Sequence, residues 1–160
     1  IFGKLPDTPL EATCTFLEHI KPNKELSSEI TQRLRTAVAD QNNSPNQVGA
    51  LVRAISQGFD EQQKVDALQA VLGSPFGTEP EVIAALASRC WSTLQHPELL
   101  RAFLETLALN SAGQACFNRV MADLMFIPTL RALSLQQFRS PERSEALSKA
   151  IGGMFGSDFS

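Results

Sequence analysis

With 160 residues, 43% of them hydrophobic and 19% charged, the chain carries enough apolar material for one packed domain and too much for intrinsic disorder. A formal charge of −3 and a pI near 5.4 argue against nucleic acid or an anionic membrane surface as the main partner. No run of about 18 apolar residues is present, so no membrane-spanning helix is expected, and three scattered cysteines, Cys14, Cys90 and Cys116, argue against a disulfide framework and for a reducing, cytoplasmic compartment.

The chain opens on Ile1 rather than Met and reads as a piece of a longer or processed protein. From there the pattern is helical almost throughout. Tyr is absent, strict alternation is missing, and Ala, Leu, Glu and Gln dominate. Thr8-Pro9-Leu10-Glu11 supplies a capping hydroxyl, a Pro at the first helical position and an acid three residues after the cap, predicting a helix over 9–20. A second helix is expected over 24–40, followed by the polar loop Asp40–Asn46. Ser44-Pro45-Asn46-Gln47 opens a helix over 45–57, and another follows over 60–72. Gly58 and Gly73 after apolar-periodic segments predict left-handed C-terminal caps. Thr78-Glu79-Pro80-Glu81 opens 79–95, and Pro97 and Pro128 divide the next helices, 97–109, 112–126 and 128–138. Ser140-Pro141-Glu142-Arg143 opens a last helix over 141–151, and the glycine-rich segment 152–160 reads as a flexible tail.

An offset of 35 residues (82 − 47 = 35) aligns Gln47–Ser56 with Val82–Trp91. Extended, it gives the rows Phe16, Leu51, Leu86, Met121 and Ile20, Ile55, Cys90, Met125 on the first helices of each pair. On the second helices it gives Ile30, Val65, Leu100, Leu135, and then Arg33, Leu68, Phe103, Phe138 with Leu34 beside the misfit. A fifth row, Ala37, Leu72, Leu107, fails at Glu142. The spacing is close to ten helical turns, so two unrelated amphipathic helices can align there by accident. Against accident, both helices of the pair align without a gap, and Pro45 meets Pro80.

Helical pairs of this length, with Leu, Ile, Val and Ala on the facing sides, resemble HEAT-type repeats over about residues 9–138. The Asp and Arg usually found near the turn of HEAT units do not recur. The chain also resembles bacterial proteins of uncharacterised families. The expected fold is all-α: antiparallel helical hairpins stacked as a short HEAT-like solenoid, an α-α superhelix, with a compact irregular helical bundle as the alternative. The expected organisation is one helical domain over 1–151, with hairpin units near 9–40, 45–72, 79–109 and 112–138.

The resemblance implies that the second helices line a concave binding side. The positions there opposite the buried rows are Thr31, Asp66, Arg101 and Gln136, with Gln63, Glu98 and Glu105 nearby. This face is mixed in sign and rich in amides, which suits another protein better than phosphate. Trp91, with Phe126 one offset later, is either core or, if exposed, an interface anchor. His19 and His96 stand near helix ends, where a protonated imidazole complements the helix dipole, and neither has a partner at metal-ligand spacing. Cys90 falls on a core row, while Cys14 and Cys116 have no basic neighbour in sequence to activate a thiol. Glu79 and Glu81 fit a helix first turn, and Gly73–Gly77 lacks the Lys of a phosphate loop. No catalytic residue, metal ligand or cofactor is assigned. The expected function is a non-catalytic interaction or assembly module whose partner is another protein or a second copy, without nucleic acid or a membrane span. The alternative is an all-α enzyme or small-ligand-binding domain with a pocket between helices.

Overall fold

In a computed structural model that describes residues 2–156, the chain forms nine α-helices and no strand among the described residues. They are α1 (Asp7–Leu17), α2 (Lys24–Ala39), α3 (Pro45–Ile55), α4 (Glu61–Leu72), α5 (Pro80–Arg89), α6 (Pro97–Ala108), α7 (Gln114–Met125), α8 (Pro128–Phe138) and α9 (Glu145–Gly156). Short 3₁₀ turns occupy Phe2–Lys4, Pro75–Thr78 and Thr93–Gln95.

Four side chains cap these helices. Ser44 Oγ accepts from the Gln47 amide at 3.1 Å, as its capping sequence predicts. Asn23 and Asp60 do the same for α2 and α4, accepting from Leu26 and Gln63 at 2.9 and 3.0 Å. The start of α9 departs from expectation. Ser140-Pro141 makes a turn instead, with Ser140 Oγ accepting from the Glu142 amide, and Ser144 Oγ accepts from the Leu147 amide at 3.0 Å to open the helix four residues later than expected. Thr8 and Thr78 do not cap either. α1 begins at Asp7, ahead of Thr8, and the Thr78 hydroxyl donates back to the Pro75 carbonyl. The segment expected as one helix over 79–95 breaks after Arg89 and resumes as a 3₁₀ turn.

The glycines act differently from expectation. Gly73 ends α4 with φ −79°, and among the described residues only Gly113 has a positive φ, 81°. Gly58 is required by space instead: a Cβ there would lie 2.9 Å from the Ile55 carbonyl oxygen. The expected tail begins too early, since α9 runs through Gly152 and Gly153 to Gly156. Gly153 lets the Gln114 side chain lie against that helix, where Gln114 Nε2 donates to the Ala150 carbonyl at 2.8 Å. The rest of that segment, 157–160, lies outside the described residues.

Helices of like parity are neighbours. α1, α3, α5 and α7 follow one another in one row, and α2, α4, α6 and α8 in another; α9 packs on both α6 and α7. The closest packing is that of α3 with α1, α2 and α5. The sequence explains it. Gln47, Val48, Gly49, Ala50, Leu51, Val52, Ala54 and Ile55 are all buried, so α3 is enclosed on every side, and its small residues allow close approach. A Cβ on Gly49 would lie only 3.3 Å from the Glu81 carbonyl oxygen of α5.

The 35-residue rows hold in the middle of the chain and fail at its ends. Leu51, Leu86 and Met121 are fully buried, as are Leu68 and Phe103, whereas Phe16, Ile20 and Leu135 are exposed. At the first of these ends Leu17 and Leu34 are buried in place of Phe16 and Arg33.

Phe103→Ala removes a fully buried ring from α6 and is expected to lower the free energy of unfolding by about 3–5 kcal/mol, measured by denaturant titration. Gly77→Ala would place a Cβ 2.8 Å from the Leu72 carbonyl oxygen, a backbone atom with little room to move; overpacking of this kind is expected to cost roughly 1–3 kcal/mol.

Candidate functional site

The second-helix residues expected to form one surface do not share one environment. Thr31 is only 7% exposed, and its hydroxyl donates to the Ser27 carbonyl at 2.9 Å within α2, so it drops out of the row. Asp66 is exposed and accepts from Gln62 Nε2 at 2.8 Å; Gln63 is half-buried at the start of α4. Glu98, Arg101 and Gln136 do come together, lining a cleft between α6 and α8 with Gln137 and Arg139. Two members of the set are engaged in packing α9. Arg101 donates to Glu142 Oε2 at 2.7 Å, and Glu105 accepts from both the amide and the hydroxyl of Ser144.

The opposite case is the edge where odd-numbered helices turn into even-numbered ones. Each of these four turns shows one large apolar side chain to solvent: Ile20 after α1, Phe59 after α3, Trp91 after α5 and Phe126 after α7, with exposures of 39%, 61%, 43% and 86%. Trp91 and Phe126 are thus not core. The sequence had left both readings open, and burial decides it. The turns after α1, α3 and α5 meet around a cleft of about 280 Å³ lined by Lys21, Ser56, Gln57, Lys64, Arg89 and Trp91.

The charges around this cleft are ordered by two carboxylates. Glu18, only 8% exposed at the end of α1, lies 3.1 Å from the Arg89 guanidinium, 3.6 Å from Arg53 Nε and 3.0 Å from His19 Nε2. It ties the ends of α1, α3 and α5 together. Glu61, in the first turn of α4, lies 2.7 Å from Lys64 Nζ and 3.3 Å from His96 Nε2. Burial alone would raise the Glu61 pKa. The hydrogen bond and charge of Lys64, with a further hydrogen bond from His96, outweigh it and hold the carboxyl below its ordinary 4.5. His19 and His96 therefore each attach, through one carboxylate, to residues lining the same cleft, although they are distant in sequence.

The cysteines take no part in these ion pairs. Burial pushes the Cys14 thiol up to about 12, against the opposing charges of Arg53 and Arg33, neighbours that the local sequence does not reveal. Burial does the same to Cys90, whose Sγ faces the Val52 carbonyl at 3.7 Å. Cys90 packs in the core, as its register position implies. Cys116 is half-buried and lines a groove of about 440 Å³ between α5 and α7 with Glu81, Ser88, Arg119 and Asp123. Among the described residues no three His, Cys, Asp or Glu side chains are grouped to hold a metal ion, and no helix is long and apolar enough to cross a membrane.

A family model described as "Protein of unknown function (DUF3549)" matches residues 1–155. The chain belongs to the DUF3549 family. Comparison with curated proteins and with solved structures finds no match. In this member of the DUF3549 family the matched span takes in α1 to α8, α9 up to its last residue, the four apolar turns and the basic cleft, so the edge is built wholly from the family's own domain.

Cys116 is expected to react with a thiol reagent in the native protein at neutral pH, while Cys14 and Cys90 react only after unfolding, read by mass spectrometry of the labelled peptides. The Glu61 carboxylate favours the fold above its ordinary pKa, and that stabilisation is lost as the pH falls below it. Glu61→Gln should therefore lower the thermal midpoint at neutral pH, and the gap to the parent protein should narrow as the pH falls below that ordinary value.

Proposed function

We propose that this chain is a non-catalytic protein–protein interaction or assembly module, working in the cytoplasm, and that its principal contact surface is the edge of odd-to-even turns. The observation that supports this reading is the recurrence of one exposed apolar residue in each of the four odd-to-even turns: Ile20, Phe59, Trp91 and Phe126. Scattered exposed apolar residues need no explanation. One at every turn of the same kind is a pattern, and aromatic side chains are the usual anchors of interfaces because they bury much area with few rotatable bonds. The two parity rows suit a short HEAT-like stack of hairpins, in which such an edge is rigidly spaced.

The cleft of Glu98, Arg101 and Gln136 is a secondary contact area on this reading. A second reading, small-ligand binding, is favoured by the groove between α5 and α7, whose volume is about 440 Å³ and which presents Arg119, Glu81 and Asp123 together.

The test is affinity capture from extract of the source cells, with sedimentation to report self-association. Trp91→Ser combined with Phe126→Ser should leave the thermal midpoint nearly unchanged, because both side chains are exposed. It should weaken capture of a specific partner, or self-association, by about tenfold or more. Capture and self-association that are unaffected by the pair would remove the turn edge as the contact surface.

A further inference from the structure

We propose that the basic cleft at the turn edge receives the carboxylates of an acidic segment of a partner protein, with an apolar residue of that segment set against Trp91. The proposal rests on the interaction-module reading and names the chemistry of the partner.

Three cations from three parts of the chain converge on the cleft: Lys21 after α1, Lys64 from α4 and Arg89 from the end of α5. Among the described residues no carboxylate lines it. The two acids that pair with its cations are already engaged, Glu18 by Arg89, Arg53 and His19, and Glu61 by Lys64 and His96. The local set is therefore Lys21, Arg53, Lys64 and Arg89 against Glu18 and Glu61, and it is positive on a chain whose net charge is −3. Lys21 makes no ion pair among the described residues.

A positive spot on an acidic chain selects a short anionic ligand over a long one. A polyphosphate backbone extends beyond the cleft into the field of the whole protein, which repels it. A protein segment with two or three acidic residues places its charge only where the cations are. The indole of Trp91 on the cleft wall gives such a segment an apolar contact that free phosphate cannot use. A second copy of this chain is the poorer occupant, since in its one pair of adjacent acids Asp60 is used to cap α4 and Glu61 is held by Lys64 and His96.

Trp91 is the only tryptophan, so its emission reports on this cleft alone. The probes are a short glutamate peptide carrying one phenylalanine, its glutamine counterpart and inorganic phosphate. The glutamate peptide should shift Trp91 emission and bind more weakly as salt is raised, and the glutamine peptide and phosphate should not bind. Lys21→Glu should weaken the glutamate peptide by about tenfold with little change in thermal midpoint. Gln57→Glu, which puts a carboxylate into the cleft wall without touching the Glu18 or Glu61 pairs, should have a similar effect. Equal binding of the two peptides, binding of phosphate in their place, or no effect of either variant overturns the proposal. A partner captured through Trp91 and Phe126 but indifferent to Lys21→Glu overturns this proposal alone and leaves the interaction-module reading standing.

Discussion

The close seating of α3 among its neighbours is the constraint from which the rest of the arrangement follows. A helix enclosed on every side cannot carry a charged face, and the stretch from Gln47 to Ile55 spends its positions on Val, Leu, Ile, Ala and Gly, with Arg53 reaching out to a carboxylate. The one amide it buries, Gln47, is satisfied by Asp7 Oδ1 at 2.8 Å, at the opposite end of α1 from Glu18. Because α1 and α5 both lie against α3, their C-terminal ends come within reach of one another. Glu18 can then bridge to Arg89 across 71 residues of sequence. A carboxylate this buried is tolerable only with several donors around it. The geometry of the turn edge, and of the cleft in it, is inherited from that packing.

Much of the helix layout is legible in the sequence, and for a stated reason. Ser44-Pro45 marks its helix because side chain, proline and helix start are consecutive in the chain, so the capping geometry is local. Ser140-Pro141 carries the same letters and fails, because a stronger anchor stands downstream: Ser144 is held by Glu105 of α6. Tertiary contact overrides local propensity there, and no inspection of residues 140–144 alone reveals it. The 35-residue register follows the same division. Where helices have neighbours on both sides, as α3 and α5 do, row positions such as Leu51 and Leu86 are buried. At the ends one neighbour is missing, and Phe16 and Leu135 face outward.

The candidate site was less legible. A surface read as positions opposite the buried rows assumes that each helix has one inner and one outer face. Thr31 breaks that assumption, since its side of α2 is covered and its hydroxyl is used up within the helix. Arg101 and Glu105 were rightly placed on α6, but their partners Glu142 and Ser144 lie in a segment read as the start of a helix. The turn edge was visible only in part, through Trp91 and Phe126 at equal offset. Ile20 was assigned to a buried row and Phe59 was not singled out, because turn residues obey no helical period, and the cleft's cations lie up to 68 residues apart on the sequence (89 − 21 = 68) without forming a run. Charge convergence of this kind is a property of the packed turns, and composition averages it away.

The nesting of the two buried thiols has a consequence of its own. Cys14 belongs to the outermost helix of the odd row, clamped by Asp7 at one end and Glu18 at the other, whereas Cys90 sits at the end of α5 against the Val52 carbonyl. If α1 peels from the edge, Cys14 meets solvent while Cys90 stays sealed. The chain thus carries two clocks of different depth, and the order in which they start separates fraying of the margin from collapse of the whole domain.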